Sequence, residues 1–261
     1  MIQSEIRPIA IGSVLFLALA GNIAAEVAEP VANPVRVLQQ AVANSHAWMQ
    51  VDLQRPLEYQ QTVEIDDGEA LRQEIRQIDE RRPPEDRVRL VSVDRQSPDP
   101  KALEKFRKQQ EENRKRADDD RRGSISFEHF DLTDARLLEH DGEQWLFEVP
   151  RAVSSMLGEN NAAMAEHLRM QVEVDPAHPA GPYLTRLTVE STAAFKPGLI
   201  GKVERFRVQM NLTLHDSGRL VMDRMDVDIR ARAMFRNIES RQTVAFSGYR
   251  EHLASTASTA D

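Results

Sequence analysis

VERFRVQMNLTLH, residues 203–215, places Phe206, Val208, Met210, Leu212 and Leu214 on one side of an extended chain and Arg205, Arg207, Gln209, Asn211, Thr213 and His215 on the other. A period of two with one apolar side is the mark of a half-buried β-strand. The pattern repeats on both flanks. Upstream, Leu168, Met170, Val172 and Val174 alternate with polar residues; across the Pro/Gly-rich connection 175–182, Tyr183, Leu187, Val189, Ala193 and Phe195 take one side of the next segment. Downstream of Ser217-Gly218, Val221, Met225, Val227, Ile229, Ala231, Ala233 and Phe235 align against Arg224, Asp226, Asp228, Arg230 and Arg232, and a last segment runs from Ile238 through Val244 and Phe246. Successive amphipathic strands joined by short turns predict an antiparallel meander with one oily face.

The first half of the chain supplies more strands and two helices. Asn33-Pro34 reads as a cap and first helical residue, and Val35, Leu38, Val42 and Met49 recur at near-helical spacing through Trp48. Residues 57–65 alternate, Asp66-Asp67-Gly68 turns, and residues 71–78 return as a second strand or, with Leu71, Ile75 and Ile78 near a period of four, as a short helix. Val88–Val93 is a β-branched strand after the Pro83-Pro84 break. Asp99-Pro100 opens a stretch to Arg122 with nine basic and seven acidic residues, in which only Leu103 and Phe106 can dock a turn. Glu104 with Lys108, Glu111 with Lys115 and Glu112 with Arg116 stand four apart, as in a solvated helix. Asp141-Gly142 joins the Leu137 region to a strand with Trp145, Phe147 and Val149, and Ala162–Leu168 has helical character.

The N-terminus carries an apolar run, Ile9–Leu19, of signal-peptide length, after Arg7 and before small residues. Cleavage after Ala20 or after Ala25 fits the small-residue rule, and an uncleaved anchor is the alternative, because Glu5 offsets Arg7. Either way the body is expected outside the cytoplasm, in the periplasm. The domain plan is a signal peptide over 1–25, a single domain over 26–253 that includes the charged arm at about 99–122, and a small polar tail, 254–261, expected to be disordered. The chain has no cysteine, so neither disulfides nor acylation at an N-terminal cysteine are available, and burial must hold it together. A net charge of −8 argues against a nucleic-acid partner.

No reaction chemistry stands out. The histidines, His46, His129, His140, His167, His178, His215 and His252, form no pair at ligand spacing. Asp118-Asp119-Asp120 lacks the alternation, glycine and distal glutamate of a calcium loop. A Gly-x-Ser-x-Gly elbow, a cysteine nucleophile and a phosphate-cradling glycine loop are all missing from the sequence. The chain is read as a non-enzyme without cofactor or metal; a hydrolase with a cleft assembled from distant strands is the remaining rival of that kind.

Long amphipathic strands in an exported chain fit either a membrane barrel, oily outside, or a soluble sheet, oily inside. Three Tyr and two Trp are too few for aromatic girdles, and capped helices fit a barrel poorly. The expected fold class is therefore α+β: a highly curved antiparallel sheet, an open half-barrel, covered on its concave side by one or two helices. The helix at Val35–Met49 and the turn at Leu103 and Phe106 provide the cover. A hollow left unfilled would be lined by Trp145, Phe147, Phe195, Leu199, Phe206, Met210, Leu212, Met225, Val227 and Ile229, the methionines adapting to flexible ligands. In the loop 196–202, Leu199 and Ile200 lie between glycines, with Lys196 and Lys202 placed as rim contacts for an anionic headgroup; the alternative is a loop tucked onto its own sheet.

This layout of leader, N-terminal helix and curved antiparallel sheet resembles the periplasmic lipoprotein carriers and outer-membrane receptors of the Lol pathway and related lipid-binding half-barrels. The passage Val88–Phe106, with Ser92-Val93-Asp94 leading through Pro98 to Leu103 and Phe106, is similar to a strand-turn-helix passage of such envelope proteins. The resemblance is one of layout and carries over no functional residue. It implies a soluble periplasmic protein that binds a lipid, an acyl chain or a lipidated polypeptide without covalent chemistry, peripheral membrane contact being compatible with that role. The rival reading is an envelope interaction or sensor module in which the sheet is a filled core and the charged helix engages a protein partner.

Overall fold

A computed structural model describes residues 33–50, 55–119, 130–153, 162–196, 201–233 and 236–252. The leader 1–25, the tail 254–261, Leu199 and Phe235 lie outside the described residues. The elements run α1 (Pro34–Gln50), β1 (Leu57–Asp66), β2 (Leu71–Asp79), β3 (Val88–Val93), α2 (Pro100–Asp119), β4 (Arg136–His140), β5 (Trp145–Glu148), a one-turn α3 (Ala162–Ala165), β6 (Leu168–Asp175), β7 (Tyr183–Ser191), β8 (Gly201–Leu214), β9 (Leu220–Ala233) and β10 (Arg236–Glu251). Residues 71–79 are thus a strand, and the helical alternative for them falls away.

The ten strands of the described residues join one antiparallel open sheet in the order β3-β2-β1-β10-β9-β8-β7-β6-β5-β4. Two meanders meet where β1 pairs with β10, Val63 opposite Val244. The edges are β3 and β4, six and five residues long, and short edge strands limit sheet-to-sheet association. The passage through α2 therefore connects the two outermost strands.

Cross-strand partners share a face, so the register reads out the oily side. Leu187, Met210 and Met225 line up across β7, β8 and β9, and Val63 and Val244 continue the same side across β1 and β10. Two register shifts alter what strict alternation predicts. A shift between Glu173 and Val174 brings Leu184, fully buried, opposite Val174, while Ala193 is exposed beyond the end of β7. A shift between Asn211 and Leu212 pairs Leu212 with Met222 and Leu214 with Leu220, so Leu220 and Met222, rather than Val221, take the side of Met225. A bulge inserts one residue and reverses the parity of everything beyond it.

Helix α1 begins where its cap residues place it, with the Val35 amide donating to Asn33 Oδ1 at 3.1 Å. Its buried stripe is Leu38, Ala41, Val42 and Ser45, which packs with Phe147, Met170, Val172, Leu184, Leu187 and Met210 into the main core. The helix touches β4, β7 and β9, so it lies across the strands. Two polar bonds seat it: Ser45 Oγ accepts from the Leu184 amide at 2.9 Å, and Asn44 Nδ2 donates to the Pro182 carbonyl at 2.8 Å. Gly181, at φ +111°, makes that approach feasible, since a Cβ there would stand 2.9 Å from the Asn44 amide nitrogen.

A polar network ties the opposite end together. Glu80 accepts both Arg219 nitrogens at 2.8 and 3.2 Å and the Leu57 amide at 3.0 Å, joining the β2–β3 and β8–β9 turns. Burial pushes the Tyr59 and Tyr249 phenols up, and Tyr249 donates to the Met222 carbonyl at 2.5 Å. The Arg81 guanidinium, with help from its own amide and from Arg82, holds the Asp79 carboxyl far below the usual range, at 2.8–2.9 Å from Arg81 Nε and Nη2. Such a carboxylate contributes stability that is complete above the unfolded carboxylate pKa of about 4 and is lost as pH falls below it. Asp226, held by Arg224 and Thr243, and Glu239, held by Arg230, shift the same way. Urea unfolding between pH 7 and pH 3 is therefore expected to show stability falling below pH 4, with a shallower fall in Asp79→Asn. The variant is expected to cost about 1 kcal/mol at pH 7, because both arginines face solvent.

Candidate functional site

The half of the sheet that α1 leaves uncovered carries a cleft under α2. Three strands build its floor from residues in register: Gln61, Arg76 and Leu90 in one row, Val63, Glu74 and Val93 in the next, then Ile65 with Arg72. The chain reverses after β3 through a tight turn in which Asp94 and Arg95 both adopt positive φ, and Val93 and Gln96 exchange backbone hydrogen bonds at 2.9 Å. Asp99 then caps α2, its Oδ1 accepting the Ala102 amide at 2.7 Å. The turn and the cap send the helix back across the strands it has just left.

The attachment is narrow. Phe106 is 7% exposed, whereas the other described side chains of the helix, over 100–115, are exposed or half-exposed, and its ring lies under the Arg76 guanidinium, 5.5 Å from the ring centroid. Arg76 is itself fixed by Glu74 Oε2 at 2.6 Å and Gln61 Oε1 at 3.4 Å. Hollows lie on both sides of this contact. One, of about 790 Å³, has Val63, Ile65, Leu90 and Val93 below and Lys101, Ala102, Lys105, Lys108, Gln109 and Glu112 above. The other, of about 480 Å³, is bounded by Pro84, Val88, Arg107, Gln110 and Arg114. Positions 101, 105, 108 and 112 form one helical stripe, so a floor of aliphatic side chains interrupted by Arg72, Glu74 and Arg76 faces a charged roof. A volume near 800 Å³ is within the usual span for small-molecule sites.

The residues assigned to a hollow from sequence lie elsewhere. Phe147, Phe195, Met210 and Leu212 are 0–6% exposed in the α1 core, and Trp145, Phe206 and Met225 pack partly buried against it. Val227 and Ile229 are half-buried on β9, and Lys196 and Lys202 are exposed at the two ends of their loop, which is pinned by the Phe195–Val203 backbone pair. None of them lines the cleft under α2. The one sequence signal for that cleft was the isolated apolar pair Leu103 and Phe106 on a charged helix, which marked the contact but not the space beside it.

The opposite face of β8–β10 is a ladder of ion pairs, among them Arg205 with Asp228 at 3.2 Å, Arg224 with Asp226 at 2.7 Å and Arg230 with Glu239 at 2.9 Å. No cluster of three metal-ligating side chains occurs among the described residues. No helix among them is long and apolar enough to cross a membrane.

No protein-family model and no curated protein matches the sequence. Among solved structures, an isomerase-inactive variant of GphF DH1 aligns at 12% identity over 86% of this chain and 84% of its own, with a TM-score of 0.12, too low to bear on fold or activity.

Proposed function

We propose that this chain is a non-enzymatic binding protein of the cell envelope, exported to the periplasm, whose cleft between α2 and β1–β3 receives the apolar part of a lipid or lipidated polypeptide. The observation that carries the reading is the 790 Å³ space, with aliphatic side chains in its floor, under a helix anchored through Phe106. Ile65 and Val93, half-buried beside the buried Val63 and Leu90 on a hydrogen-bonded sheet, offer a preformed apolar surface, and the narrow attachment of the roof allows chains of different bulk to enter. In this reading the sheet is a curved half-barrel of the Lol-carrier kind, with α1 filling one end of its concave side and α2 roofing the other. A hollow among Phe147, Met210 and Leu212 is not part of it, because α1 occupies that space.

The filled α1 core also favours one part of the rival reading, an interaction module that uses the charged outer surface of α2. Deleting α2 would destroy both sites, so the two readings separate on the cleft floor. Val93→Trp blocks the space while leaving the outer helix surface intact. Native mass spectrometry of protein purified gently from an envelope fraction is expected to show a one-to-one lipid adduct that Val93→Trp loses. A clean apo mass, with no uptake of a fluorescent fatty acid by the intact protein, would overturn the lipid reading in favour of the interaction module.

A further inference from the structure

We infer that the ligand of this cleft is an anionic amphiphile, a long apolar chain ending in a carboxylate or phosphate, whose headgroup is held by Lys101 and Lys105. The inference rests on the lipid reading above and adds the charge and the orientation of the ligand. The cleft is lined by five cations, Arg72, Arg76, Lys101, Lys105 and Lys108, against the three carboxylates of Glu74, Glu104 and Glu112, on a chain whose net charge is −8. A local excess of positive charge on an acidic protein focuses anions at that place.

The cations are not equivalent. Arg76 is paired with Glu74 at 2.6 Å, Lys108 with Glu104 at 2.8 Å, and Arg72 with Asp67 at 2.5 Å. Lys101 and Lys105, four residues apart and both exposed at the cleft, have no ion-pair or side-chain hydrogen-bond partner among the described residues. Side chains at i and i+4 share one helix face, so the two ammonium groups are neighbours on the roof, where their like charges repel and a shared anion relieves the repulsion. An oxyanion there satisfies both, while its chain lies on the aliphatic floor. A neutral amphiphile gains only the floor, and a cationic one is repelled.

The test holds the chain constant and varies the head: oleyl alcohol, oleate, oleyl phosphate and oleylamine are titrated into delipidated full-length protein, with displacement of a bound fluorescent probe as readout. At least one of oleate and oleyl phosphate is expected to bind at least tenfold more tightly than oleyl alcohol, and which of the two prevails identifies the headgroup. That preference should shrink with added salt. The double variant Lys101→Glu/Lys105→Glu is expected to erase the preference for the anions over oleyl alcohol, and Lys101→Arg/Lys105→Arg to retain it. Equal binding of alcohol and anions would overturn the headgroup assignment and leave the lipid site standing. No binding of any of the four would overturn both.

Discussion

Met210→Arg is expected to leave the protein without a stable fold. Met210 is 3% exposed, opposite Leu187 on β7 and Met225 on β9, in the layer that α1 covers. A guanidinium there would sit in a cluster of apolar side chains, on a strand flanked by hydrogen-bonded neighbours on both sides. Burying an unpaired charge costs on the order of 5 kcal/mol or more, comparable to the whole stability of a typical domain. Urea unfolding followed by circular dichroism measures it; a midpoint near that of the parent protein would mean that the α1 core is loosely packed. Two neighbours serve as controls. Ile229 is only half-buried, opposite Phe206 and Ser240, so an arginine there can extend its head to solvent and is expected to cost about 1–2 kcal/mol. Arg207 projects from the polar face with its side chain 43% exposed, and Arg207→Ala is expected to stay within about 0.5 kcal/mol of the parent.

The second large effect concerns Glu80→Ala, expected to cost about 3 kcal/mol. Its carboxylate is 21% exposed and accepts three bonds, two from Arg219 and one from the Leu57 amide, so truncation strands an 18%-exposed guanidinium and a backbone donor together. The pair joins two turns far apart in sequence, and a double-mutant cycle with Arg219→Ala is expected to return a coupling of about 2 kcal/mol. Arg230→Ala is the contrast. Its partner Glu239 is 45% exposed, and solvent screening is expected to leave the unfolding midpoint of the variant unchanged despite a separation of 2.9 Å. If Glu80 and Arg230 behaved alike, solvent would reach the β2–β3 turn more freely than its packing implies.

Both predictions depend on burial, which the sequence specifies only locally. The strands 203–215 and 57–65, the caps at Asn33 and Asp99 and the single docked aromatic Phe106 are legible because each rests on a period of two or four residues or on a side chain bonding its own helix start. The same periodicity misplaces Val221 and passes over Leu184, because a one-residue bulge depends on the partner strand and leaves no mark in either strand alone. The candidate lining residues illustrate the limit on function. Phe147, Met210 and Leu212 have the composition of a binding hollow and the composition of a core, and alternation cannot separate a face that awaits a ligand from one that already has a helix on it.

What the sequence by itself determined is the list of elements, their amphipathic faces and the acidic, cysteine-free balance that leaves burial to hold the chain together. Only the tertiary structure decided that β1 pairs with β10, that β3 and β4 are the edges, and that α1 is spent on β4–β9 while α2 stands off β1–β3 on one phenyl ring. The reason is physical: hydrophobic burial is non-directional, so an oily strand face states that it must be covered and leaves open by what.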